Sequence, residues 1–449
     1  RYCMKGKRLL TVALSAALIG TTAGMLAGCD GGSKGTELVY WCFDADMAKQ
    51  VTDYYDTEER ALGYDIKVEV VPLDNMLTRL DNAFRSGKNL PDVVALEAET
   101  FKKYIDDGAN LLENLDDLKG LTSEMYSYTV DGATGEDGHL YALATNVTPG
   151  IFAYRRSMAK EAFGTDDPAE IQKHFDSWEH FLESAKTLSE VRTEEYPDGI
   201  KVISSYMDIG KVFCGSRSEG WVDANGNLAI DATLTDGDYS MMEVAKQLHV
   251  NGYTGEQTSG DGGWYAGISD SDDDKIFGYF QATWGINTNL LNNCESSSGG
   301  STAGDWAIIE GPAPYFEGGT YHAVIKGTDM LEEAKDFVEF FSTDKGYLTN
   351  WAKEHGDFMN HRSYMEELVS DTTANNAFLG GQNPYSTFIA AADKINGEII
   401  TRYDSEINGY FEAWATNYAE GKTEAATIDA AVEQFKAMVA AAGLNINVN

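Results

Sequence analysis

The chain has 449 residues, about three times a typical domain, so two large lobes or two to three domains are expected. Hydrophobic residues at 43%, aromatics at 11% and charged residues at 24% exclude global disorder and a polytopic membrane protein. With 34 basic against 72 acidic residues the net charge is −38, which repels phosphate backbones and excludes nucleic acid as an expected partner; a neutral or cationic ligand fits.

Lys5, Lys7 and Arg8 precede an apolar stretch at 9–19, followed by small residues and Leu26-Ala27-Gly28-Cys29. This order reads as a secretion signal, and the apolar stretch is too short for a stable spanning helix. Met4 reads as the start of that signal. Leu-Ala-Gly-Cys resembles the bacterial lipobox, which implies cleavage after residue 28 and a diacylglycerol on Cys29. The Gly/Ser-rich segment 30–36 reads as a tether, with folding from residue 37. Cys42, Cys214 and Cys294 then remain; three thiols cannot all pair, no Cys-x-x-Cys occurs, and buried free thiols are expected.

From residue 37 short apolar runs alternate with amphipathic stretches, the pattern of an α/β fold. Strands are expected at 38–41, 66–71 and 93–96. Helical faces lie between them at Met47, Val51, Tyr54 and Tyr55, and at Met76, Leu80 and Phe84, the latter capped by Gly87. A further helix is expected over 99–106, ended by Gly108. Thr148-Pro149 precedes a strand at 150–154 and reads as a crossing between lobes, since proline gives a hinge a defined path. A hairpin around Asn225-Gly226 is expected over 220–231, with further strands at 276–280 and 306–309. Ala334, Phe337, Val338 and Phe341 form one late helical face, and Ile428, Val432, Phe435 and Val439 another. Residues 270–274 and 296–300 read as surface loops.

No nucleophile elbow, zinc-protease helix, Walker loop or dinucleotide fingerprint is present, so no catalytic residue, cofactor or metal is expected. Asp223-x-Asn225-x-Asn227 begins like a calcium loop but has Leu228 where the glycine belongs and Leu234 where the last glutamate belongs, so a hairpin turn explains it better. Glu97 and Glu99 form a carboxylate pair of the type that glycosidases use, though 72 acids produce such pairs by chance. More distinctive are aromatic residues beside polar ones at strand ends and loops. Phe43-Asp44 follows the first strand, Trp264 follows Gly262-Gly263, Trp284 follows Gln281-Ala282-Thr283, and Tyr315 follows Gly311-Pro312-Ala313-Pro314. Pyranoses have apolar C–H faces for aromatic rings and hydroxyl rims for Asp, Glu and Asn, so sugar is the ligand this chemistry suits.

Residues 306–314 (Trp-Ala-Ile-Ile-Glu-Gly-Pro-Ala-Pro), 318–326 (Gly-Gly-Thr-Tyr-His-Ala-Val-Ile-Lys) and 333–341 (Glu-Ala-Lys-Asp-Phe-Val-Glu-Phe-Phe) come in the order of strand, glycine turn, strand and helix. With Leu90-Pro-Asp-Val-Val94 and the segment 411–431, this order resembles the bacterial extracellular solute-binding proteins of carbohydrate ABC transporters, family 1, of the maltose-binding-protein type. The resemblance implies a two-lobe periplasmic-binding-protein-like α/β fold of type II, each lobe a mostly parallel sheet flanked by helices and joined by hinge crossings. It implies lobes at 37–147 with about 311–372 and about 148–310 with 373–449. A monomer held outside the cell membrane by Cys29, Gram-positive in leaning, would close on a sugar and deliver it to permease subunits. By position Trp284 resembles the family's cleft tryptophan, Asp44 its hydroxyl-binding acid and Tyr385 a residue of its late aromatic loop. Local context adds Phe43, Glu97, Asn146, Trp221, Trp264 and Tyr315 as ligand-binding candidates. A secreted glycoside-active enzyme and a peptide- or other-solute-binding lipoprotein are the alternatives.

Overall fold

A computed structural model describes residues 37–271 and 274–448. The signal, Cys29, the tether and part of the acidic loop at 270–274 lie outside the described residues. Among the described residues nine strands are β1 (Glu37–Cys42), β2 (Asp65–Val70), β3 (Val93–Glu97), β4 (Ala142–Ala144), β5 (Gly150–Arg155), β6 (Lys201–Ile203), β7 (Ile276–Ala282), β8 (Trp306–Ile309) and β9 (Thr320–Val324). They form two sheets, ordered β2-β1-β3-β9-β4 and β6-β7-β5-β8. The first three strands and the two helical stretches between them are those the sequence predicts.

The sheets are mixed rather than mostly parallel. In the first, β1 pairs in parallel with β2 and β3, but β9 returns antiparallel between β3 and β4. In the second, only β6 and β7 run parallel; β5 is antiparallel to both of its neighbours. The reason is connectivity. The chain enters the second sheet through β5 and leaves it through β8 to supply β9, so the strands that follow each crossing, β5 and β9, run against those made by local β-α-β units.

The helix Leu73–Ser86 buries Met76, Leu80 and Ala83, and Gly87 ends it at φ 61°, donating its N–H to Ala83 and Phe84 carbonyls. The helix expected from residue 99 instead starts at Lys102, because Glu99 and Thr100 are held in a turn on Glu97. Gly108 opens a further short helix, Gly108–Leu111, and lies so close to the Tyr141 ring that a Cβ there would approach it to 2.5 Å. The Asn225-Gly226 hairpin is present: Val222 pairs with Leu228, Gly226 has φ 77°, and the Asp223 carboxylate accepts the N–H groups of Asn225 and Asn227.

Strand periodicity places β5 between two cores. Ile151 and Ala153 face a core shared with the first sheet, while Phe152 and Tyr154 face a second core closed by the helices Asp404–Ala419 and Ile428–Ala442. Two crossings lie side by side. Pro149 pairs antiparallel with Phe316, Gly150 donates its N–H to the Tyr315 carbonyl at 2.7 Å, and the Thr148 hydroxyl donates to the Gly318 carbonyl at 2.6 Å. Cys42, Cys214 and Cys294 are free and buried.

At the centre of the first sheet, His322 on β9 is buried, with Tyr40 Oη 2.8 Å from Nε2 and Thr145 Oγ1 2.8 Å from Nδ1. Burial pushes its pKa down to about 3. Since the unfolded ring titrates near 6.5, the unfolded chain takes up a proton that the folded one refuses, and stability is lost as pH falls below about 6.5 toward 3. The slope is about 1.4 kcal/mol per pH unit. Chemical denaturation of wild type and His322→Gln at pH 6.5 and 5.0 should therefore show wild type losing about 2 kcal/mol more than the variant; equal losses contradict a neutral buried ring.

Candidate ligand-binding site

A cavity of about 720 Å³ opens at one edge of the first sheet, where β1 and β3 end and the antiparallel β9 begins. Open α/β sheets place ligands at the carboxyl ends of parallel strands because the loops there are free to diverge. After β1, Phe43 and Asp44 line it; after β3, Glu97, Glu99 and Thr100; after β4, Thr145 and Asn146. Leu73, Asp74 and Leu77 come from the helix that follows β2. The opposite wall is Trp284, Asn287 and Thr288, which follow β7 of the second sheet, and Glu317 to Gly319 of the returning crossing. A third wall is the helix Lys345–His355, with Tyr347, Trp351 and His355, continued by Asp357 and Met359.

Five of the nine candidate residues therefore line one cavity: Phe43, Asp44, Glu97, Asn146 and Trp284. Asp44 caps the helix Ala45–Gln50 by accepting the Met47 N–H at 2.8 Å, which aims its carboxylate across the strand end. Asn146 is fixed by its Oδ1, which accepts the Thr320 N–H at 2.9 Å. Trp284 is half-buried, and its Nε1 donates to the Glu317 carbonyl at 2.9 Å, so the indole is locked to the crossing with part of the ring exposed.

The other four candidates do not line it. Trp221 is fully buried against Phe411 and Phe435 with the Arg217 guanidinium over its ring, and its Nε1 donates to Asn408 at 2.7 Å. Trp264 is 2% exposed, edge-on to Tyr279, with Nε1 3.3 Å from Asp208. Tyr315 fills the space that Gly150 leaves empty, its hydroxyl reaching the carbonyls of Ile151 and Gln281. Tyr385 is 1% exposed and donates to the Ala352 carbonyl at 2.7 Å, bracing the third wall from behind. Loop-like flanks suggested open rings; tertiary packing covers all four.

Sequence reasoning missed Trp351, His355 and Asp357. Trp351 and His355 stand four residues apart on one helix and stack at a centroid distance of 3.6 Å. A tryptophan at helical spacing reads as core, and only the pairing of that helix with the first sheet turns its edge to the cavity.

The cavity is strongly acidic, with seven carboxylates and no lysine or arginine among the described residues that line it. Burial, then Glu99, then Glu317 push the Glu97 carboxyl up to about 8. Burial also raises Glu99, Asp44 and Asp357. Glu317 pairs with Lys211 at 2.8 Å at the border of a smaller cavity of about 270 Å³, which shares Glu99 and Glu317 with the larger one.

A model of the bacterial extracellular solute-binding proteins matches residues 54–358. The chain belongs to this family. Its fold is that of an extracellular solute-binding protein of family 1 in a crystal structure that it matches with a TM-score of 0.74 at 16% identity, over 90% of this chain and 99% of that one. It is similar also to the ABC-transporter-associated binding protein of B. animalis subsp. lactis Bl-04, solved with β-1,6-galactobiose (TM-score 0.66, 20% identity, 92% of this chain and 100% of that one). The sugar-binding protein MalE of Xanthomonas citri gives a TM-score of 0.68 at 15% identity, over 90% and 96% of the two chains. No curated protein sequence matches. The periplasmic-binding-protein-like architecture expected from the sequence is thus the one found.

A group whose folded pKa lies above its ordinary value is held protonated by the fold, so its contribution to stability is complete below about 4.5 and is lost as pH rises through about 8 for Glu97. Glu97→Gln removes that loss. The variant should gain stability over wild type between pH 5 and pH 8, read from denaturant midpoints at both values; a gain confined to pH 5 would contradict the raised carboxyl.

Proposed function

We propose that this protein captures a saccharide in the 720 Å³ cavity and delivers it intact to the permease of an ABC transporter. The observation that carries this is the composition of the walls: carboxylates at the strand ends of one sheet face an indole, Trp284, that follows a strand of the other. A sugar seated there touches residues tied to both sheets, so its full contacts form only when the two approach. Closure is then a population shift set by the ligand's differential affinity for closed and open forms. The lobes are 37–147 with about 311–372 and about 148–310 with 373–449, pivoting on the paired crossings at Pro149 and Phe316. The galactobiose named for one structural neighbour supports a saccharide here by analogy of fold.

One observation favours a second reading. Glu97, raised to about 8 beside Glu99, has the protonation that a glycosidase acid requires. Calorimetry, solution scattering and product analysis on the same sample separate the two. With a binding saccharide the radius of gyration should shrink and the sugar should be recovered uncleaved; cleaved sugar establishes the hydrolase, and an unchanged radius at saturation removes closure. Trp284→Ala should weaken binding roughly 5- to 150-fold, the equivalent of about 1–3 kcal/mol for one stacked ring. Trp264→Ala should instead lower folding stability by about 3–5 kcal/mol, since it empties a packed core.

The protein works outside the cell as a monomer, tethered by lipid on Cys29 in a Gram-positive envelope; the lipobox-like Leu26-Ala27-Gly28-Cys29 carries this part of the proposal. Cys29→Ala should shift the protein from the membrane fraction to the medium after signal cleavage. Membrane retention of the cleaved variant defeats the anchor.

A further inference from the structure

We infer that the saccharide this cavity takes is cationic, an amino sugar whose protonated amine sits among the carboxylates of the first sheet. The inference rests on the saccharide-binding reading above and specifies its ligand. Two features of the cavity lead to it. The first is uncompensated charge. Among the described residues Asp44, Asp46, Asp74, Glu97, Glu99 and Asp357 line the cavity without an ion pair, and only Glu317 has one, to Lys211 on the far side of the crossing. Anions desolvated together without counter-charge are held at a cost, and the raised Glu97 and Glu99 carboxyls register it. A ligand that brings the positive charge relieves that cost.

The second feature is the state of the hydrogen-bond donors. A neutral sugar hydroxyl both donates and accepts, so a site for neutral sugars needs free donors as well as acceptors. Here many of the side-chain donors on the walls are committed to protein acceptors, while seven carboxylates stand ready to accept. The Trp284 indole donates to the Glu317 carbonyl, Asn287 to the His355 carbonyl, the Thr288 hydroxyl to the Trp284 carbonyl and the Tyr347 hydroxyl to Gln50. Both ring nitrogens of His322 are occupied by Thr145 and Tyr40. What the cavity offers in excess is acceptors, beside aromatic rings. An ammonium donates three hydrogen bonds and accepts none, and it is attracted to the face of an indole, while the sugar ring supplies the apolar surface for Trp284 and Phe43.

The test is isothermal titration of the full folded domain with glucosamine- and galactosamine-containing di- and trisaccharides, each against its N-acetylated counterpart of the same linkage, with neutral disaccharides and spermidine as further arms. The expected result is at least one amino saccharide that binds tenfold or more tightly than its N-acetylated counterpart, with that margin reduced at least threefold in Glu97→Gln, whose fold is checked by circular dichroism. A margin unaltered in Glu97→Gln overturns the placement of the amine. N-acetylated or neutral saccharides binding as tightly as amino ones overturn the inference and leave saccharide capture standing. Spermidine binding with every saccharide silent overturns both, and so does silence in all arms.

Discussion

The contact of Tyr315 with Gly150 is the constraint on which the two-sheet architecture depends. A Cβ on Gly150 would lie 2.0 Å from the Tyr315 ring, so the crossing chain passes against the flat face of an aromatic only because it has no side chain there. The Tyr315 hydroxyl then bonds to carbonyls of β5 and β7, and the Gly150 N–H returns a bond to the Tyr315 carbonyl. The two crossings are thereby joined into one ribbon. Both walls of the ligand cavity are set from it: Glu317 to Gly319 extend the ribbon directly, and Trp284 is bound to it through the Glu317 carbonyl.

From this ribbon the site is organised by conflict between burial and charge. The first sheet supplies a neutral centre, in which His322 is uncharged and held by two hydroxyls, and an acidic rim at and just beyond the strand ends. Carboxylates placed there raise one another's pKa, which is a typical signature of a site that spends stability on function. The aromatic wall compensates in part, since Trp351 stacks on His355 and Tyr347 packs edge-on to Tyr54 and Phe341, presenting edges rather than charges to the cavity.

Strand ends were legible in the sequence because a parallel β-α-β unit announces itself by alternating periods. Phe43, Asp44 and Glu97 follow directly from where β1 and β3 stop, and Trp284 from where β7 stops. The directions of the strands were not legible. Local units suggest parallel pairing, whereas β5 and β9 take their direction from long crossings that no window of sequence reveals. Trp221 shows the same limit for side chains. Its glycine neighbour and hairpin suggest exposure, yet the helices that bury it begin at Asp404 and Ile428, nearly two hundred residues later. Trp351 is the inverse case, a residue with a helical core pattern that borders the cavity although it is almost wholly buried.

The three buried thiols have a consequence for life outside the cell. Burial and the neighbouring Asp44 push the Cys42 thiol up to about 12, and burial raises Cys214 further. At neutral pH the reactive thiolate of Cys42 is then on the order of one molecule in 10⁵, so oxidants have almost nothing to attack. Among the described residues the fold is closed by packing rather than by disulfides, so its maturation needs no oxidation catalyst, and it holds the same shape whether the surrounding medium is aerobic or strictly reducing.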